Sequence, residues 1–499
     1  MKYHSTRGRQ SVSSAAEAIT RGLASDGGLF VPDRIPRLSE EDWAAMENET
    51  YQERACRILA YYLDDFSSEE IRDCVYGAYN DNQFDDPRIA PLVFVKENLV
   101  IQELWHGPTC AFKDMALQIL PHLLTTSAAK IEEKSEIVIL VATSGDTGKA
   151  ALEGFKDVPG TRIIVFFPED GVSEVQKRQM LTQEGENVHV AAVYGNFDDA
   201  QTGVKSIFSN SSYTEILGKN QMKMSSANSI NWGRLLPQIV YYVSAYMDLK
   251  AEGTLKGNDP MNIVVPTGNF GNILAAFYAR QMGVPIQKLI CASNANNVLT
   301  DFIHSGVYDR NRNFAKTISP SMDILISSNL ERLLYELTGH DDKKVSGWME
   351  ALNQDGRYEV DEATKQQIQN LFWADFADDE KTIEMIQQTW AEDHYLMDTH
   401  TAVARKVYER YAEETGDETP AVIVSTASPY KFGNSVAQAV LSTERLEGRN
   451  EFEVLTVLSE QTGTTIPVGI RDLEKRPILH HTKTAKEEMG QTILDFLGL

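Results

Sequence analysis

Cysteine is scarce: four in 499 residues, Cys56, Cys74, Cys110 and Cys291, far apart and with no CxxC pair. That spacing argues against a disulfide framework and against a cysteine zinc site, and a reducing cytoplasm is the expected compartment. Long apolar runs are missing as well. No stretch reaches the ~18 residues of a membrane span. The opening segment MKYHSTRGRQSVSSAAEAI lacks the apolar core of a secretion signal. Positive charge is in short supply too, with 47 Lys and Arg against 72 Asp and Glu and a formal net charge of −25. Such a field repels phosphate backbones and anionic lipid heads, so neither a nucleic-acid nor a membrane partner is expected. A small anionic ligand then needs a local positive pocket. No HExxH or GxSxG occurs, which leaves no metal site and no serine hydrolase, and His106, His480 and His481 read as structural or exposed. What remains, 42% hydrophobic and 24% charged residues, is the balance of a folded chain long enough for two or three domains.

Two patterns divide that chain. In residues 1–90, segments 40–60 and 67–79 have apolar residues at helical spacing, which predicts a small helical domain, with DGGLFVP at 26–32 extended or turning. From residue 91 strands alternate with helices. Residues 136–142 (EIVILVA), 162–167 (RIIVFF), 188–194, 262–265, 288–292 and 421–425 (AVIVS) are short and apolar on both faces. Strands of that kind between helices mean parallel sheets covered on both sides. The expected class is α/β, with two parallel-sheet domains at 91–250 and 251–499 flanking a cleft and an acidic helical insertion at about 340–400.

In such folds ligands sit beyond the carboxyl ends of the strands, so the loops there carry the information. PTGNFGN (266–272) follows one strand and opens a helix. Its glycines and the helix start make an anion cradle suited to a phosphate, although an ordinary strand-to-helix turn has the same local pattern. TSGDTGKAA (143–151) is not a nucleotide phosphate loop, because Thr143 and Ala150 stand where Gly and Ser or Thr are needed. Its Ser144 and Thr147 can bind an anion such as a carboxylate, or Ser144, Asp146 or Thr147 can cap the helix. In LWHGPTCAFKDMALQ (104–118), Lys113 opens a helix, where a cation opposes the helix dipole. A covalently tied or desolvated amine resolves that conflict. A lysine reaching to solvent beside a capping Asp114 is the simpler reading of charge placement alone.

Seven segments occur in one order: DGGLFVP (26–32), HGPTCAFKDMALQ (106–118), TSGDTGKAA, SINWGRLLPQ (229–238), PTGNFGN, SSNLERLLYEL (327–337) and STASPYKF (425–432). Together they resemble threonine synthase of the longer bacterial and fungal kind, a pyridoxal-phosphate-dependent family with the tryptophan-synthase β-subunit type of fold. The resemblance implies that Lys113, next to Phe112, carries pyridoxal 5′-phosphate covalently. It implies that Gly268, Asn269, Phe270, Gly271 and Asn272 hold the cofactor phosphate and that Thr426 hydrogen-bonds the pyridine nitrogen. Asp146 stands where many relatives have an asparagine beside the cofactor's 3′-oxygen. Ser144 and Thr147 would receive the substrate carboxylate. The implied reaction turns O-phospho-L-homoserine and water into L-threonine and phosphate. Arg234 is the leading partner for the substrate phosphate, since a guanidinium matches phosphate oxygens in pairs; Lys149 and Arg7 follow. The chain departs from the family pattern at Ser428 and Tyr430, often histidine and alanine, and at Cys110 and Lys149. A dehydratase or phospholyase using the same cofactor, and a binding protein that keeps the cleft without catalysis, are the alternatives. The sequence sets no oligomeric state.

Overall fold

The computed structural model describes residues 1–143, 145–169 and 172–499, with Asp198 described by its backbone alone. The N-terminal region is more than helical. Strands β1 (Tyr3–Ser5), β2 (Ser11–Val12) and β3 (Phe30–Pro32) form a small antiparallel sheet in the order β2-β1-β3. The DGGLFVP segment supplies β3 after a turn in which Gly27 takes a φ of +79°, a conformation that glycine adopts without strain. Helices Tyr51–Ala60 and Ser68–Ala78 follow, each opened by a reciprocal cap, Thr50 with Glu53 and Ser67 with Glu70.

The chain then makes β4 (Leu92–Lys96), β5 (Leu99–Glu103), β6 (Glu136–Ala142), β7 (Thr161–Pro168), β8 (Val188–Val193), β9 (Met222–Ser225), β10 (Met261–Pro266) and β11 (Ile286–Ser293). After these come the ribbon strands β12 (Val307–Asp309) and β13 (Arg357–Glu359), then β14 (Phe372–Phe376), β15 (Ala421–Ser425) and β16 (Thr482–Thr484). Two sheets result. The smaller has the order β16-β8-β7-β6-β9 and is parallel throughout. The larger has the order β14-β11-β10-β15-β5-β4, parallel except for the edge strand β4. The α/β class with two parallel sheets is therefore correct.

The chain does not divide at residue 250 as the strand count suggested. β4 and β5 belong to the larger sheet, and β16 returns from the far end of the chain to the smaller one. Every residue of β5 is buried, which a place beside β15 provides and an isolated hairpin would not. The 340–400 region is only partly helical. Its FWADF segment is β14, an edge strand whose Phe372 and Ala374 point into the core while acidic helices flank it. Those helices masked a strand too short to show its own period.

The helix Trp232–Ala251 has almost every residue buried, with Pro237 tolerated inside it. It packs against the helix Gly271–Met282, and this contact brings Arg234, Gln238 and Tyr241 toward the loop after β10. No helix among the described residues is long and apolar enough to cross a membrane.

Candidate active site

Three neighbouring parallel strands of the larger sheet, β5, β15 and β10, end on the same side, and each is followed by one of the loops singled out in the sequence. After β5 comes Lys113, at the entrance of the short helix Asp114–Leu117. Its amine does not reach for solvent: the side chain is 11% exposed, and Nζ donates to Ser321 Oγ at 3.3 Å and lies 3.5 Å from Asp146 Oδ2. It also stands 4.9 Å from the centre of the Phe112 ring. Asp114 is fully buried and accepts from Thr109 N–H at 2.8 Å and Thr109 Oγ at 2.7 Å, so it braces the preceding loop. Burial pushes the Lys113 amine below the usual lysine value; Lys431 and Arg234 add to the shift and Asp146 resists it.

Asp146 is the first residue of the helix Asp146–Phe155 after β6, so it belongs to the other sheet. That helix begins at Asp146, although the sequence reads as helix only from near Lys149. Gly145 stands at its cap position, and the Thr143 hydroxyl accepts from Gly145 and Gly148 N–H, both at 3.0 Å. Asp146 is thereby left for other partners. Lys431 Nζ is 3.1 Å from Oδ1, Gln176 Nε2 donates to Oδ1 at 2.8 Å, and Ser321 Oγ donates to Oδ2 at 3.1 Å. Burial alone would raise its pKa, but Lys431 and Lys113 outweigh burial and hold the carboxyl far below the usual range. It is ionised at any working pH.

The loop after β10 runs into the helix Gly271–Met282, with Phe270 at a φ of +64° turning the backbone into it. Gly268 and Asn269 are tied by their carbonyls, which accept from Ser327 Oγ at 2.8 Å and Asn329 N–H at 3.1 Å. The Asn269 side chain is exposed. A Cβ on Gly268 would lie 2.7 Å from the carbonyl of Ser321, so the loop and the Ser321 turn touch there. Asn272 is buried, with Oδ1 accepting from Tyr241 at 2.9 Å and from Tyr242, while its Nδ2 has no partner.

Thr426 follows β15 and is buried; its carbonyl accepts from Phe112 N–H at 2.8 Å, locking it against the lysine loop. Thr147 is half-buried in the first turn of the helix that starts at Asp146. Ser144 lies outside the described residues. Arg234 is buried, with one Nη bonded to the Ala227 carbonyl and Nε unpartnered. Burial lowers its value to about 10. The two weaker phosphate candidates are engaged elsewhere: Lys149 with Glu153 at 2.9 Å and with Gln183, and Arg7 with both oxygens of Glu331 at 2.9 Å.

Sequence reasoning missed Lys431, Ser321, Gln176 and His400. His400 Nε2 accepts from Ser321 N–H at 3.1 Å and Nδ1 donates to Asp398 at 2.7 Å, which fixes the turn carrying Ser321. Lys431 had a signal, since it lies in STASPYKF at a strand end. Ser321 and His400 follow no strand of the larger sheet's centre and had none.

Comparison with known proteins gives the family. Residues 2–79 match the family profile for the threonine synthase N terminus, 87–371 that for pyridoxal-phosphate-dependent enzymes, and 401–477 that for the threonine synthase C-terminal region. The threonine synthase of Pseudomonas aeruginosa is 38% identical over 88% of this chain and 90% of its own length. The chain belongs to the threonine synthase family. The crystal structure of pyridoxal-phosphate-bound threonine synthase from Brucella melitensis superposes with a TM-score of 0.87 at 35% identity, covering 99% of both chains. Yeast threonine synthase gives 0.88 at 32% identity, covering 100% of this chain and 99% of its own. Human threonine synthase-like 1 is 43% identical over 85% of this chain, which spans 58% of that relative's length.

Proposed function

We propose that the chain converts O-phospho-L-homoserine and water into L-threonine and phosphate, with pyridoxal 5′-phosphate attached at Lys113. One contact carries the reading. Ser321 meets the Lys113 amine through Oγ and the PTGNFGN loop through its carbonyl, so a buried amine and a helix-start anion cradle face one space. The residues suit the cofactor: the Lys113 amine gives up its proton more readily than an ordinary lysine, and the buried Asn272 Nδ2 lacks a partner beside the cradle. Gly268, Asn269, Phe270, Gly271 and Asn272 would hold its phosphate, Thr426 its ring nitrogen, and Phe112 and Asp146 its flanks. When bound, pyridoxal phosphate supplies an electron sink for charge developing on the substrate.

This chain's own groups do the rest. Lys113 takes the proton from substrate Cα and moves protons at Cβ and Cγ. Thr147, in the first turn of its helix, and Ser144 receive the substrate carboxylate, and Arg234 meets the leaving phosphate with an unpaired Nε. The four cysteines are unpaired, which suits a reducing cytoplasm. Product analysis with O-phospho-L-homoserine tests the reading. Threonine supports it, 2-oxobutyrate replaces it with a lyase, and no turnover by the cofactor-loaded protein overturns it.

A further inference from the structure

We propose that Lys431 is a positioning residue of this site, a fully buried cation that shares the Asp146 carboxylate with Lys113 and clamps the loop on which Lys113 stands. Three strand-end loops meet at its ammonium. Lys431 itself follows β15 in the short turn Pro429–Phe432. Its Nζ donates to the Thr109 carbonyl at 2.6 Å, in the loop after β5, and stands 3.1 Å from Asp146 Oδ1, at the start of the helix after β6. Thr109 in turn braces Asp114 through both its N–H and its hydroxyl. The ammonium therefore holds the residue that anchors the helix entrance carrying Lys113.

Its exposure is 0%. Burying an ammonium costs several kcal/mol of desolvation, and a neutral amide donor would hold the Thr109 carbonyl without that cost. The charge therefore answers to Asp146. Around this carboxylate stand Lys113, Lys431, Gln176 and Ser321, with His400 behind the Ser321 turn. Arg234 also acts on Lys113, and Asp114 and Cys110 feel Lys431. Two ammoniums on one carboxylate leave an excess positive charge. That excess makes it easier for Lys113 to lose its proton and supplies part of the local cation an anionic substrate needs in a protein of net charge −25.

The inference rests on Lys113 being the reactive amine, so its test is made without cofactor. The apoprotein is acetylated with trace acetic anhydride across a pH series, and the Lys113 peptide is followed by mass spectrometry, since only the neutral amine reacts. Lys431→Gln, which keeps a donor for Thr109 but removes the charge, should move the Lys113 midpoint up by about one pH unit, the scale of a nearby like charge. Lys431→Arg should leave it within a few tenths. An unmoved midpoint in a folded Lys431→Gln protein reduces Lys431 to a structural clip and overturns the proposal. Should that variant not fold, Asp146→Asn reads the same cluster: with the shared carboxylate gone the midpoint must fall, and an unchanged value also overturns it. Failure of the parent protein to take up pyridoxal phosphate would sink the functional reading while leaving these shifts intact.

Discussion

Lys113 Nζ lies 3.5 Å from Asp146 Oδ2, an ion pair between loops that leave two different sheets. The pair gives a physical reason for an acid where many relatives of this fold have an asparagine. With Lys431 also 3.1 Å from the same side chain, an amide would leave two buried ammoniums facing each other without a counter-charge. Gln176 and Ser321 take remaining lone pairs of the carboxylate, so its burial is compensated by hydrogen bonds as well as by charge.

Lys113→Ala is expected to fold and to lose both the absorption band near the visible edge and turnover, by ~1000-fold or more for a lost acid–base group. Stability should not suffer, because the substitution removes a desolvated amine whose partners Ser321 and Asp146 keep other bonds. Absorption spectra and threonine formation check it, and full activity in the variant would end the assignment.

The two glycines of the cradle should fail differently. A Cβ on Gly271 meets nothing closer than Asn329 Nδ2 at 3.4 Å, so the fold has room and Gly271→Val should weaken cofactor affinity far more than stability. On Gly268 a Cβ would press on the Ser321 carbonyl at 2.7 Å, backbone that cannot rotate away. Gly268→Ala should therefore displace the Ser321 turn, lowering the thermal midpoint as well as cofactor affinity. Equilibrium titration with pyridoxal phosphate and thermal unfolding of both variants separate the two effects; equal stability losses would contradict the distinction.

His106 offers a pH test away from the chemistry. Burial alone would lower its value, but Asp85 at 2.6 Å and Glu103 at 2.9 Å raise it to about 9. A folded value above the unfolded one means that the stabilisation is complete below about pH 6.5 and disappears as pH rises through about 9. The difference corresponds to a ceiling on the order of 3 kcal/mol, and screening at the half-exposed Asp85 brings it to ~1–2 kcal/mol. His106→Gln should lose that much at pH 6 and almost nothing at pH 10, read from urea unfolding midpoints. A loss of equal size at both pH values would show packing, not charge.

Much of this site was legible because parallel strands announce themselves twice, by burial on both faces and by the loops that follow them. The loops after β5, β6 and β10 were found that way, with Lys113, Asp146 and the GNFGN turn in them, whereas Thr426 came only from the resemblance. What stayed hidden came from elsewhere. Ser321 sits in a short turn with no apolar period, and His400 enters from a helix whose first turn reads as an ordinary cap by Asp398. The sheet memberships of β4, β5 and β16 were also illegible, since pairing across hundreds of residues leaves no local trace. In STASPYKF only Thr426 was given a role, and Lys431 was not singled out because its full burial depends on partners from two distant loops.

Arg234 is the last residue to test, and it makes a prediction in two opposite directions. Its guanidinium is buried, its value is lowered to about 10 by that burial, and Nε has no partner. In the free protein it is an uncompensated cation, which costs stability. With a substrate phosphate beside it, the same group forms a two-pronged contact in a place from which water is excluded. Arg234→Ala should therefore keep or raise the thermal midpoint and leave the cofactor band unchanged. The KM for O-phospho-L-homoserine should rise by roughly 100-fold or more, the equivalent of the ~3–5 kcal/mol for removing one partner of a buried ion pair. Arg234→Lys should recover only part of that loss, since a point charge cannot match two oxygens at once. Lys149 and Arg7 cannot take over without breaking their pairs with Glu153 and Glu331. Unchanged phosphohomoserine kinetics in Arg234→Ala would make its bond to the Ala227 carbonyl the residue's role and place the phosphate site elsewhere.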